Sequence, residues 1–172
     1  MFVCCHSHIE INLHHVSISM VFLMEKREMW AEIKEKNTTA TIKEFNADGA
    51  MIQYNSMGEV KGKYHGIHWE TVNVKLKMDG TNEWEAKAME TTREGDVVLI
   101  TGKGTGRQEN ATQGSFNGEV TYMTNSPRLS WLNNAKGWIE GINDQKNGEA
   151  TIKVYPAAAK AEKTPQVAAP MM

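Results

Sequence analysis

Three glutamates stand where apolar and polar residues alternate along the chain. Glu70 shares parity with Val72, Val74, Leu76 and Met78, Glu90 with Trp84, Ala86 and Ala88, and Glu140 lies between Trp138 and Ile142. On a strand, residues of one parity occupy one face, so each carboxyl group is predicted to share a face with apolar side chains. A carboxyl removed from water has its pKa raised and can act as a general acid or base. Glu70, Glu90 and Glu140 are therefore the candidate catalytic residues. The competing reading puts them at strand ends or beside Lys and Arg, and a bulge at a neighbouring glycine can reverse the parity.

Histidines and cysteines add little. His65, His68 and Tyr64 gather near one glycine turn beside Trp69, where a histidine could transfer a proton or simply cap a strand end. A metal needs three or four converging ligands, and only His65, His68 and Glu70 are local to one another, so no metal site is assigned. Cys4, Cys5, His6, His8, His14 and His15 crowd the first residues. Their types suit zinc or copper, but their spacing matches no standard module. Residues 1–24 read as an N-terminal extension, with Met20 or Met24 as the alternative start. No motif implies a cofactor. Gly102-Lys103-Gly104-Thr105-Gly106 lacks the phosphate-loop spacing, and no Gly-x-Ser-x-Gly elbow occurs. With no cysteine beyond Cys5, a thiol nucleophile is excluded from the rest of the chain.

Aromatic residues give the stronger signal. Tyr54, Tyr64, Trp69, Trp84, Tyr122, Trp131 and Trp138 supply much large side-chain area, and Met51, Met57, Met78, Met89 and Met123 add flexible apolar bulk. Such residues line adaptable ligand cavities or fill a core. The seven aromatics are taken as candidate ligand-binding residues.

The elements that must position them read as strands. Period-two alternation dominates from about residue 28 to residue 155. Turn signals punctuate it at Asn46–Gly49, Asp79-Gly80, Arg93–Asp96 and Asn143–Gly148. Roughly eight to ten short strands with this spacing indicate an all-β barrel or sandwich. The segment Met24–Lys36 is readable as helix or strand, and Trp131–Asn133 reads as extended. A pattern of glycine, any residue, aromatic, any residue, glycine occurs as Gly62-Lys63-Tyr64-His65-Gly66 and as Gly114-Ser115-Phe116-Asn117-Gly118. Glycines within strand patterns let a sheet turn corners, which favours one closed antiparallel barrel of about eight strands.

These residues carry a resemblance. The two glycine corners, Glu94-Gly95-Asp96 before an apolar strand, Gly102–Gly106, and the last strand Gly148–Tyr155 together resemble the allene oxide cyclase barrel. That family of small eight-stranded antiparallel barrels includes plant cyclases, the similar dirigent proteins and bacterial members without an assigned function. The resemblance spans about residues 45–155. It implies an apolar interior and often oligomerisation, and no catalytic residue of the plant enzymes is carried over to a position here.

The bulk properties narrow the partners. The chain has 172 residues, 23% of them charged, and a net charge of −2. That length suits one domain: a barrel over residues 25–156, followed by an Ala/Pro/Lys tail over residues 157–172 too poor in apolar groups to order itself. No basic footprint for nucleic acid exists. The apolar run Val16–Met24 is too short to span a bilayer. Two adjacent cysteines give no disulfide framework, which points to a reducing, cytoplasmic setting. The expected function is a barrel that binds a small apolar molecule. The alternatives are a cyclase or isomerase acting on a reactive apolar substrate, and a homo-oligomeric structural protein without ligand.

Overall fold

The computed structural model describes residues 28–157, so residues 1–24 and nearly all of the expected tail lie outside the described residues. Eight strands follow one another in chain order: β1 Ala31–Asn46, β2 Gly49–Gly62, β3 His65–Lys77, β4 Thr81–Thr92, β5 Val97–Gln108, β6 Gln113–Thr124, β7 Lys136–Asp144 and β8 Glu149–Pro156. Each pairs antiparallel with the next, and β8 returns to β1, closing the barrel. The segment open to either reading in the sequence is strand from Ala31 onward. Trp131 is not extended: it sits in a short 3₁₀ turn, Ser130–Asn134.

Local chemistry sets the hairpins. At Asp79-Gly80, the Asp79 Oδ1 accepts hydrogen bonds from the Thr81 amide at 2.9 Å and its hydroxyl at 2.6 Å. Gly80 takes a φ of 81°, a conformation open to glycine at little cost. This is the turn that the Asp-Gly pair signals.

The other glycines serve a different purpose. Gly102, Gly104 and Gly106 lie on β5. They share the inward parity of Val98 and Ile100, and with Gly118 they make a bare patch on the inner wall. A Cβ on Gly104 would lie 2.6 Å from the Trp84 ring, and one on Gly118 2.5 Å from it. Trp84 thus lies across the barrel on glycine, with its indole N–H donating to the Thr105 carbonyl at 3.2 Å. Gly141 is seated the same way under Phe116, whose ring would be 2.2 Å from an added Cβ. The two glycine-aromatic-glycine copies are not equivalent: one straddles the β2–β3 turn and the other lies wholly within β6.

The two ends of the barrel differ. The end holding the β2–β3, β4–β5 and β6–β7 connections is stoppered. There Leu132 and Leu129 are buried beside Val60, Val98 and Val154. Trp30 meets Trp131 edge-on with centroids 5.3 Å apart, and the Lys63 ammonium lies 5.9 Å and 5.7 Å from their ring centres. Asn133 ties the 3₁₀ turn to β6 by accepting from the Thr124 amide at 2.8 Å and donating to its carbonyl at 2.9 Å. The opposite end, ringed by the β1–β2, β3–β4, β5–β6 and β7–β8 hairpins, is open. No helix of the described residues is long and apolar enough to cross a membrane.

Candidate functional site

Inward parity runs through Ala31, Ile33 and Glu35 on β1, His68, Glu70, Val72, Val74 and Leu76 on β3, and Trp84, Ala86, Ala88 and Glu90 on β4. Register places Gly58 opposite both Glu35 and His68, Ser56 opposite Glu70, and His68 opposite Glu90. Four charged or titratable side chains therefore meet mid-barrel. Gly58 makes the meeting possible: a Cβ there would lie 2.6 Å from the Glu35 Cα and 2.7 Å from its Cβ.

The cluster has a polar chain at its back. The Tyr64 hydroxyl donates to Glu90 Oε2, and Glu90 Oε1 lies 3.0 Å from His68 Nδ1. Burial, then the Glu90 charge, pushes the Tyr64 phenol far above its ordinary range, so it stays neutral and donates. On the other side of the ring, His68 Nε2 lies 3.4 Å from Glu35 Oε2. Burial pushes the Glu35 carboxyl up to about 7, opposed by hydrogen bonds with Glu70 and Ser56. Burial, followed by the neighbouring Glu35 charge, pushes Glu70 up to about 8, while His68 pulls it down. Two carboxyl groups this close hold a proton between them near neutrality, and the pair can donate or accept one at the surface it presents.

That surface is the floor of a cavity. A space of about 320 Å³ opens at the hairpin end, with Glu35 and Glu70 at its base. Ile52, Tyr54, Val72, Val74, Leu76 and Phe116 line it together with polar residues that include Asn82, Arg107, Gln108, Asn143 and Asp144. Below Trp84, toward the stoppered end, only about 40 Å³ remains, room on the order of one to three waters.

The candidate residues divide sharply. Glu70 and Glu90 are in the cluster. Glu140 is not: it is exposed on the outer wall, 3.2 Å from the Trp138 indole nitrogen. The alternating Trp138, Glu140 and Ile142 are the outer face of β7, because its inner face is Gly137, Ile139 and Gly141, with the glycines seating Tyr122 and Phe116. Of the aromatics, Tyr54 lines the open cavity and Trp84 its floor. Tyr64, Tyr122 and Trp131 border the small closed space. Trp69 and Trp138 face outward, Trp69 with 48% of its surface exposed, and cannot touch an interior ligand. His65 is likewise exposed. Glu35 was missed. Its parity with Ala31 and Ile33 was the available signal, and the helix-or-strand ambiguity of that segment hid it.

No protein-family model and no curated protein matches the sequence. Solved structures do resemble the barrel. A protein of unknown function from Clostridium acetobutylicum superposes with a TM-score of 0.67 at 17% identity, covering 75% of this chain and 96% of its own. One from Rhodopseudomonas palustris gives 0.66 at 17% identity, with 76% and 96% covered. A beta-barrel like protein from Acinetobacter baumannii gives 0.63 at 15% identity, with 76% and 94% covered. At such identities the likeness concerns the fold alone.

Proposed function

We propose that the protein binds a small, largely apolar molecule in the cavity open at the hairpin end, with a polar end of that molecule seated on Glu35 and Glu70. The observation that carries this reading is the meeting of an apolar stretch of wall (Ile52, Val72, Val74, Leu76 and Phe116) with a carboxyl floor, in a volume of about 320 Å³ at the lower end of the range of ligand sites. The resemblance of the glycine and strand pattern to the allene oxide cyclase barrel, whose members enclose an apolar interior, supports the same reading. A cytoplasmic setting is proposed separately, from two adjacent cysteines that give no disulfide framework. Native mass spectrometry of the full chain, purified gently from an extract, tests it. A reproducible added mass that is lost on denaturation, and lost in Leu76→Trp, whose larger side chain fills the cavity, is the expected result. A bare mass after exposure to lipid and isoprenoid extracts would overturn it.

A second reading, self-association, is favoured by the outer wall. Met57, Trp69, Met89, Leu99 and Met123 are paired in succession across β2 to β6, and all are exposed. The row is about 19 Å long at the usual strand spacing and uncharged throughout. A copy of itself could meet it across a two-fold axis without like-charge repulsion. Light scattering across a concentration series, with Met89→Lys as the breaking variant, tests it, and a strict monomer at every concentration would sink it.

A further inference from the structure

We propose that Glu35, His68 and Glu70 form a binding site for one divalent first-row transition-metal ion of the zinc, cobalt or manganese class. The site shares Glu35 and Glu70 with the ligand reading but is argued from donor geometry alone, so it stands or fails without the apolar walls.

One donor atom from each of the three residues lies within 4.8 Å of the other two. An acidic cluster alone would mean little, but this one contains a buried pair of atoms with nothing to bond. Among the described residues, Glu35 Oε2 and His68 Nε2 are buried and without a hydrogen-bond partner, and His68 is only 2% exposed. Leaving such atoms bare is costly. They lie 3.4 Å apart, too far and too poorly aligned for a good hydrogen bond. That separation suits a different geometry. Metal–nitrogen and metal–oxygen bonds of about 2.0–2.1 Å set two ligands of a tetrahedral ion about 3.3 Å apart.

The rear of the histidine is arranged accordingly. Glu90 Oε1 lies 3.0 Å from His68 Nδ1, and in the tautomer in which Nδ1–H donates to it the Nε2 lone pair is left aimed at the cluster. Tyr64 in turn fixes Glu90. A carboxylate behind a histidine is the usual support of a metal-ligating imidazole. Charge agrees as well. Among the described residues neither Glu35 nor Glu70 has a Lys or Arg ion-pair partner, His68 being the sole basic group beside Glu35. A dication would take the place of the proton that the Glu35–Glu70 pair otherwise shares, and would offset the carboxylate charge that no Lys or Arg meets. Imidazole with two carboxylates fits zinc, cobalt or manganese better than a thiolate-seeking metal. Glu35 and Glu70 also line the open cavity.

Cobalt titration of the full chain, stripped with chelator, tests the site. The expected result is about one equivalent of Co²⁺ giving visible d–d absorption that Glu35→Gln and Glu70→Gln each weaken about 100-fold and Glu90→Gln about 10- to 100-fold. Circular dichroism of the metal-free variants checks that each is folded. A full-chain variant carrying Cys4→Ser and Cys5→Ser must keep the same band, and the band must lack the charge transfer that a thiolate adds. Should the glutamine variants fail to fold, nitrogen-15 spectra of wild-type histidines with Zn²⁺ decide instead: the His68 Nε2 resonance must move to the metal-bound range. No band at excess cobalt, a band untouched in both glutamine variants, or an unmoved His68 resonance would overturn the proposal.

Discussion

The stoppered half of this barrel and its open half are built from the same eight strands, yet they solve opposite problems. In the stoppered half, Val60, Val98, Leu132 and Val154 are almost wholly removed from water, and an edge-on tryptophan pair closes the end. In the open half, Val72, Val74, Leu76 and Phe116 point inward but stay only partly covered. Trp84 and the carboxyl cluster lie at the boundary. Burial of apolar surface is the chief source of folding free energy, so the stoppered half carries stability while the open half is left able to accept something else. A cavity can persist in so small a barrel because one end is packed without it.

The comparison can be broken most directly at Leu132. Leu132→Ala empties a sealed position and is expected to cost about 2–5 kcal/mol in urea unfolding, whereas Leu76→Ala at the open mouth is expected to cost about 1 kcal/mol or less, since water already reaches it. Equal losses would erase the distinction between the halves. At the boundary, Gly118→Ala places a methyl 2.5 Å from the Trp84 ring and 2.3 Å from the Lys103 carbonyl oxygen. It is expected to cost about 1–3 kcal/mol and to shift tryptophan emission, and unchanged emission would show that Trp84 does not rest on the glycine patch.

A third expectation concerns pH in metal-free protein. Glu35 and Glu70 have folded-state pKa values raised to about 7 and about 8, and the groups facing them are His68, Glu90, Tyr64 and Tyr122. A carboxyl that holds its proton longer when folded imposes no penalty below its unfolded pKa, and an increasing one above it. Stability should therefore fall as pH rises from about 4.5 to about 8, by roughly 1–3 kcal/mol after allowing for relaxation of a coupled pair. Glu70→Gln should flatten that slope in denaturation measured across the range, and an unchanged slope would separate the pair from it. The smallest effect on stability is expected at Met89→Lys on the outer wall, within about 0.5 kcal/mol. Any large loss there would mean that the apolar row supports the fold itself.

Much of the fold was legible because hairpin turns are short-range chemistry. Asp79-Gly80 and Asn143–Gly148 announce their bends from a few neighbouring residues, and alternation between them gives strands. The site was less legible. Glu70 and Glu90 could be picked out because their own strands show clear parity. Glu35 could not, since its parity with Ala31 and Ile33 counts only once that segment is known to be strand rather than helix. Trp138 and Glu140 misled for the reverse reason. An apolar residue on every second position looks like an inner face until the true inner face proves to be glycine, vacated for Tyr122 and Phe116.

The sequence by itself determined a single antiparallel β domain, with its turns and most of its strands, because turn geometry and side-chain alternation depend on residues close together in the chain. Tertiary structure alone decided which face of β7 is inside, which end of the barrel is sealed, and that Glu35, His68, Glu70 and Glu90 converge. Those outcomes follow from closure, since β8 pairing with β1 fixes the registers across which distant residues meet, and no local pattern encodes that meeting.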